Sequence, residues 1–268
     1  MNPLIALVLG IVEGLTEYLP VSSTGHLILV GNALGAKGDA ADAFEIVIQL
    51  GAVLAVVVHY RELLALRLRG LLVRDPAALR LVSGIAIAFL PMAVVGLLFR
   101  KAIKANLFGP VPVASALIVG GVLMIAVERI RRAKKIEGVS GLENVTPKRA
   151  LAIGIGQCFA LFPGASRSMS TILAGQFAGL STATAAEFSF LVAIPTLGAA
   201  TVYEGYKSRH ELASSIGAVN VGIGLVVSFF VAWGVISAFL RYLQRRGLEP
   251  FGYYRIVLGI VVFVATSR

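Results

Sequence analysis

The sequence predicts an all-α polytopic membrane protein arranged as an inverted-topology repeat, with six transmembrane helices and two re-entrant helical hairpins, ten helical segments in all. Three observations predict it. The first is composition: of 268 residues 57% are hydrophobic and only 14% charged, with a mean hydropathy of +0.88. With the 29 glycines added, roughly two-thirds of the chain is apolar, against about 45–50% in soluble domains, which excludes an ordinary water-soluble protein. The second is six apolar runs long enough to cross a bilayer. The third is a pair of mutually similar regions, each broken in its middle by a proline and a cluster of small hydroxyl residues.

From the N-terminus, MNPLIALVLGIVEGL lacks a basic leader and carries an acid inside its apolar run, so it is expected to stay in the mature protein rather than be cleaved as a signal peptide. Region 3–31 is interrupted at Pro20-Val21-Ser22-Ser23-Thr24-Gly25 and reads as two half-length helices around a loop. Crossings near 43–60, 81–99 and 111–128 follow, each close to the ~20 residues a hydrocarbon core demands. Region 149–180 is interrupted at Pro163-Gly164-Ala165-Ser166-Arg167-Ser168, and crossings near 184–203, 216–240 and 251–267 complete the chain. Irregular backbone at membrane depth survives only where protein or a watery cavity satisfies its N–H and C=O groups, so two such loops predict an internal polar site.

The two broken regions match. Leu19-Pro20-Val21-Ser22-Ser23 corresponds to Phe162-Pro163-Gly164-Ala165-Ser166, and Leu9–Glu13 to Ile153–Gln157. Downstream, Ala43-Phe44-Glu45 is similar to Ala186-Glu187-Phe188 and Ala116–Val122 to Arg255–Val261, in the same order. Two repeats are expected, 1–130 and 148–268, joined by a charged cytoplasmic linker at 131–147. A hairpin plus three crossings per repeat is an odd number of crossings, so the second repeat lies inverted relative to the first.

Lys and Arg outnumber Asp and Glu by 24 to 14, a net +10 that in a soluble protein suggests nucleic acid. Here the excess sits in loops. Those at 61–80, 129–149 and 241–250 hold 15 Lys/Arg, whereas the other side holds seven: Lys37, Arg100, Lys101, Lys104, Lys207, Arg209 and Arg268. The positive-inside rule makes the first set cytoplasmic and puts both termini and the opening of the first hairpin outside. No nucleic-acid partner is expected. The single cysteine, Cys158, allows neither an intramolecular disulfide nor a Cys-based zinc site.

Charge at bilayer depth is costly, so each ionisable residue there needs a reason. Glu13 and Glu17 share one face of the first half-helix and point at the hydroxyl loop, as a pair that binds a cation or supplies a general base, or as protonated acids that bridge helices. Ser22, Ser23, Thr24 and His26 follow: a hydroxyl beside a His can be a nucleophile with its base, and the start of the next half-helix offers N–H groups to an anion. Arg167, flanked by Ser166, Ser168, Ser170 and Thr171, is permanently charged and presents a planar fork suited to phosphate oxygens; a salt bridge to Glu13 or Glu17 is its structural alternative. Glu45, Gln49 and Glu187 sit near the starts of matching crossings, where a structural job near the site is as compatible as chemistry. The Gly-x-x-x-Gly pairs Gly10/Gly14 and Gly31/Gly35 fit close helix packing. Acids and His26 lie only in the first repeat and Arg167 only in the second, so each half supplies what the other lacks.

Facing loops with two carboxylates, hydroxyls, a His and an Arg inside an apolar body point to phosphoryl transfer on a lipid whose head enters while its tail stays in the membrane. The runs Glu13-Gly-Leu-Thr-Glu17-Tyr-Leu-Pro-Val-Ser-Ser-Thr-Gly-His26 and Pro163-Gly-Ala-Ser-Arg167-Ser-Met-Ser-Thr171 closely resemble the two signature motifs of the undecaprenyl-diphosphate phosphatase family, known also for bacitracin resistance. The resemblance covers essentially the whole chain. It implies removal of the terminal phosphate of undecaprenyl diphosphate, recycling the carrier lipid of peptidoglycan synthesis, in the bacterial cytoplasmic (inner) membrane. It further implies a divalent cation, Mg²⁺ or Ca²⁺, with Glu13 and Glu17 as its ligands. Glu17, Ser23, His26 and Arg167 take catalytic positions by the same resemblance, and Ser22, Thr24, Ser166, Ser168 and Thr171 those of phosphate binding. Met169-Ser170 departs from the family's smaller residues at those positions.

Attack by Ser23 with Glu17 or His26 as base is the favoured chemistry, beside direct attack by water or by His26. A transporter or flippase is the rival from another class, because broken helices in inverted repeats are a common transporter plan. The partners expected are a polyprenyl diphosphate and membrane lipids, and a homodimer is compatible with the sequence.

Overall fold

The computed structural model of the chain describes residues 1–107 and 109–266, without the side chains of 100–107, 110, 265 and 266. Helices α1 (Pro3–Thr16) and α2 (Ser23–Ala33) form the first hairpin. Then come α3 (Asp39–His59), α4 (Arg61–Leu72), α5 (Pro76–Leu107) and α6 (Pro110–Ala133). The second hairpin is α7 (Pro147–Gln157), a 3₁₀ turn (Cys158–Leu161), a loop and α8 (Arg167–Phe177). It leads into α9 (Thr182–Lys207), a short α10 (Arg209–Glu211) with a π turn (Leu212–Ile216), α11 (Ala218–Leu243) and α12 (Glu249–Thr266).

The hairpin helices run for 14, 11, 11 and 11 residues, each too short to cross alone. Among the described residues five helices are long and apolar enough to cross: α3, residues 76–99 of α5, 111–133 of α6, α9 and α11. The sixth expected crossing is α12, 18 residues and so ~27 Å at 1.5 Å per residue, lying along α6. The chain is an all-α polytopic membrane protein. Residue 267, at the end of that expected crossing, lies outside the described residues, as do Arg268 and the side chains of Arg100, Lys101 and Lys104 from the charge count.

Helix α1 packs on α11 and α7 on α5, while α3 packs on α9 and α6 on α12. Glycine allows these close approaches. A Cβ at Gly10 would stand 2.9 Å from the Gly224 carbonyl, and one at Gly14 2.8 Å from that of Ser228, so this pair does pack a helix seam. Gly31/Gly35 does not: Gly35 has φ +73° with nothing near its Cβ position, and ends α2 as a left-handed cap. Between the hairpins the core is aromatic, with Tyr18, Phe188 and Phe190 fully buried and Phe239 nearly so.

One segment differs from expectation. The stretch after α3, counted with the loops, forms a helix, α4, because Arg, Leu, Glu and Ala favour helix whether or not they are buried; none of its residues is buried. The linker is tied down: Val139 pairs with Gly179 and Ser181 through backbone bonds of 2.9 Å, and Arg131 donates to the carbonyls of Gln176, Glu137 and Leu180.

Candidate active site

Both hairpin loops end on a serine in an unusual backbone conformation. Ser22 has φ 73° and Ser166 φ 72°, and the two stand 144 residues apart. A positive φ in a residue with a side chain costs of order 1–3 kcal/mol and persists only when its surroundings hold it. The compensation is the same in both: Ser22 Oγ accepts from the Gly25 amide and Ser166 Oγ from the Met169 amide, each at 3.3 Å, capping the helix that follows. The residue after each cap opens that helix and is buried. In the first hairpin it is Ser23, in the second Arg167.

Ser23 Oγ donates to Glu17 Oε2 at 2.6 Å, a short charge-assisted bond. The other oxygen of Glu17 accepts from Arg167 Nε at 3.3 Å and Nη2 at 3.2 Å, so one carboxylate links the hydroxyl of the first hairpin to the guanidinium of the second. Glu17 and Arg167 form an ion pair with side chains 5% and 6% exposed, which makes their mutual attraction strong and the loss of either partner costly. Arg167 Nη1 donates to the backbone and side-chain oxygens of Ser189 at 3.0 and 3.2 Å, and Ser189 Oγ lies 2.6 Å from Thr171 Oγ1. The guanidinium sits 5.6 Å from the centre of the Tyr18 ring, whose hydroxyl is anchored on the Ala52 carbonyl.

Ser168 Oγ donates to the Leu19 carbonyl at 2.9 Å, a second tie between the loops, and lies 3.0 Å from Ser166 Oγ. Thr24 is half-buried in the first turn of α2. His26 is held elsewhere: Nδ1 is 2.8 Å from the Ser22 carbonyl and Nε2 2.7 Å from the Tyr254 hydroxyl, with the two rings stacked. Among these bonds the partner of Ser23 is Glu17. Glu45 Oε1 lies close under Gly31, where an added Cβ would stand 2.8 Å from it. Gln49 and Glu187 are half-buried and take no part in the hydrogen bonds of the cluster.

Glu13 lies one turn before Glu17, fully buried, with neither carboxylate oxygen hydrogen-bonded. An orphaned carboxylate at that depth calls for a proton or a cation, so the donor chemistry fits a divalent ion. No group of three or more His, Cys, Asp or Glu that could hold a metal gathers among the described residues.

Three contributors were not singled out in the sequence. Ser189 lies inside an apolar run, Phe188-Ser189-Phe190, where a lone serine carries no signal. At the 144-residue spacing of the cap serines it is the counterpart of Glu45, which moves the match of α3 on α9 by two residues from the one that Glu187 suggests. Tyr254 and Arg255 stand in an apolar segment as an aromatic and a lone base. Only the charge of Arg255 could have drawn attention to it.

The model of the family described as bacitracin resistance protein BacA matches residues 6–261. An undecaprenyl-diphosphatase of Sorangium cellulosum is 63% identical over 258 residues, covering 96% of this chain and 84% of that protein. An undecaprenyl-diphosphatase 2 of Rhodospirillum rubrum is 48% identical over 258 residues, covering 96% of this chain and 92% of that protein. A third relative, an undecaprenyl-diphosphatase of Rhizorhabdus wittichii, is 46% identical over 264 residues, 98% of this chain and 97% of its own.

Proposed function

This chain belongs to the bacitracin-resistance BacA family, and we propose that it hydrolyses undecaprenyl diphosphate to undecaprenyl phosphate and inorganic phosphate, returning the carrier lipid to cell-wall synthesis. The observation that carries the chemistry is the continuous link Ser23–Glu17–Arg167, which joins a hydroxyl, a base and a phosphate-binding cation from two hairpins.

In the first step Ser23 Oγ attacks the terminal phosphorus and its proton passes to Glu17 Oε2, already 2.6 Å away. The bond from that phosphorus to the bridging oxygen breaks, and undecaprenyl phosphate leaves with the electron pair and takes up the proton held by Glu17, which restores the carboxylate. In the second step Glu17 takes a proton from water, whose oxygen attacks the phosphoserine phosphorus; Ser23 leaves, is reprotonated, and inorganic phosphate departs. Arg167 turns its fork from Glu17 toward the equatorial oxygens, where charge-assisted bonds are strongest. Ser189 and Thr171 hold Nη1 in place meanwhile. Backbone N–H groups at the starts of α2 and α8 add donors, with Ser22, Thr24, Ser166 and Ser168 around them. Glu13 and Glu17 would hold the divalent ion, Mg²⁺ or Ca²⁺, which when bound neutralises diphosphate charge. His26, fixed on Tyr254, orients the α2 side of the loop.

The two repeats lie inverted in the bacterial cytoplasmic membrane, joined by the linker at 131–147, with the 15-charge side cytoplasmic and the site open to the outside. The support is the charge count, the matched capped loops and the exchange of helix partners between repeats. Phosphate release from undecaprenyl diphosphate by detergent-purified protein, with and without chelator, tests the function. Metal-dependent release lost in Glu17→Ala and Arg167→Ala is expected. Folded wild type that binds the lipid and releases no phosphate would favour a transporter instead.

A further inference from the structure

Besides Arg167, a second arginine lies at depth. Arg255, in the second turn of α12, is 0% exposed and, among the described residues, the largest fully buried side chain. Among the described residues no carboxylate stands within ion-pair distance of it, and every bond it makes is to a backbone carbonyl. Its Nε donates to Leu117 at 3.4 Å and its Nη2 to Ala116 at 3.1 Å, both in α6. The remaining bonds leave the α6–α12 pair. Nη1 donates to Pro20 at 3.2 Å, and Nη2 to Gly164 at 2.9 Å and Ala165 at 3.1 Å.

Those three carbonyls belong to the two hairpin loops, just upstream of the strained caps. Pro20 precedes Ser22 and Ser23 by two and three residues, and Gly164 and Ala165 run directly into Ser166 and Arg167. One planar group thus grips both loops by their main chains, on a helix outside either hairpin. Only a guanidinium can meet five diverging oxygens, since an ammonium has three donors at one point. Gly120 of α6 makes the room, because a Cβ there would collide with Nη2.

The resting structure also joins the loops through Glu17–Arg167 and through Ser168 with the Leu19 carbonyl. When a phosphate takes up the Arg167 fork, the first of these loosens, and the separation of Ser23 from Arg167 then depends on the other two. We propose that Arg255 is a positioning residue for hydrolysis: through the carbonyls of Pro20, Gly164 and Ala165 it fixes the distance between the attacking hydroxyl and the phosphate-binding guanidinium, and it touches no substrate. The proposal rests on the phosphatase reading given above.

A positioning role predicts a loss in kcat with KM preserved, because reacting atoms misplaced by about 1 Å cost on the order of 10²-fold in rate. The test compares full-length wild type, Arg255→Lys and Gly120→Ala, measuring kcat and KM on undecaprenyl diphosphate together with thermal unfolding. Arg255→Lys keeps the charge and loses the fork; its kcat is expected to fall on the order of 10²-fold with KM within about threefold. Gly120→Ala keeps the arginine and displaces it; its kcat is expected to fall by about 10-fold with KM again preserved, which decides the matter should the lysine variant not fold. Wild-type kcat in a folded variant, a loss confined to KM, or a loss that only tracks the unfolded fraction would overturn the proposal. Should the wild type itself release no phosphate, the phosphatase reading fails first and takes this role with it.

Discussion

In the first hairpin the residue that follows the cap serine is Ser23; in the second it is Arg167, and the loops that present them are otherwise built alike. Each begins at a proline, turns through a serine with φ near 70°, and caps the next helix with that serine's own oxygen. Their side chains part company at the business end. Glu13, Glu17 and His26 have Gln157, Leu161 and Ser170 as counterparts at the same 144-residue spacing. The matched backbone therefore supplies two equivalent helix starts, and a few differing side chains give one a hydroxyl paired with a carboxylate and the other a guanidinium. Gln157 keeps part of the likeness: like Glu13 it is fully buried, donating to the Ala88 carbonyl while its Oε1 goes unpartnered.

Substitutions can break that division of labour, and the largest effects belong on the first hairpin. Ser23→Ala and Glu17→Gln should each lower kcat by roughly 10³-fold or more, because nucleophile and base act as one unit. Single-turnover kinetics and a search for a phosphorylated Ser23 check this, and a Ser23→Ala enzyme near wild-type turnover would transfer the attack to water. On the second hairpin Arg167→Lys keeps the charge and loses the fork, with an expected loss of about 10²-fold in kcat/KM. Glu13→Gln sharpens the contrast with Gln157. The chain should fold with a residue the second repeat already tolerates there, and half-activation should need about 10-fold more divalent ion, read from a metal titration. The smallest effect concerns what the hairpins share. Ser166→Ala should cost about 1 kcal/mol of stability, whereas Ser166→Gly should cost a few tenths because glycine accepts the positive φ. Thermal unfolding in detergent separates the two.

How much of this was legible in the sequence follows from which signals were local. Proline followed by hydroxyls inside an apolar run marked both broken helices, and the spacing of Glu13 and Glu17 put them on one face, since those features act within a turn or two of chain. The sequence leaves Arg167 open between a phosphate and a salt bridge to Glu13 or Glu17, because contact between residues 150 apart has no local signature; the structure has Arg167 bonded to Glu17. His26 beside Ser23 in sequence suggested a base, yet helix geometry turns its ring to Tyr254, 228 residues away. Ser189 and Arg255 were hidden for opposite reasons. One is a polar residue too small to disturb a hydrophobic run; the other is a charge near a predicted span start, where a snorkelling arginine is ordinary.

The central claim is that Glu17 of one hairpin and Arg167 of the other form a single catalytic unit. A double-mutant cycle on kcat/KM for phosphate release from undecaprenyl diphosphate, using Glu17→Gln, Arg167→Lys and the pair together, tests it most directly. The account predicts that the double variant loses little more than the worse single one, as residues sharing one bond network do. Losses that multiply would mean that the two groups act independently, and the composite site would be contradicted.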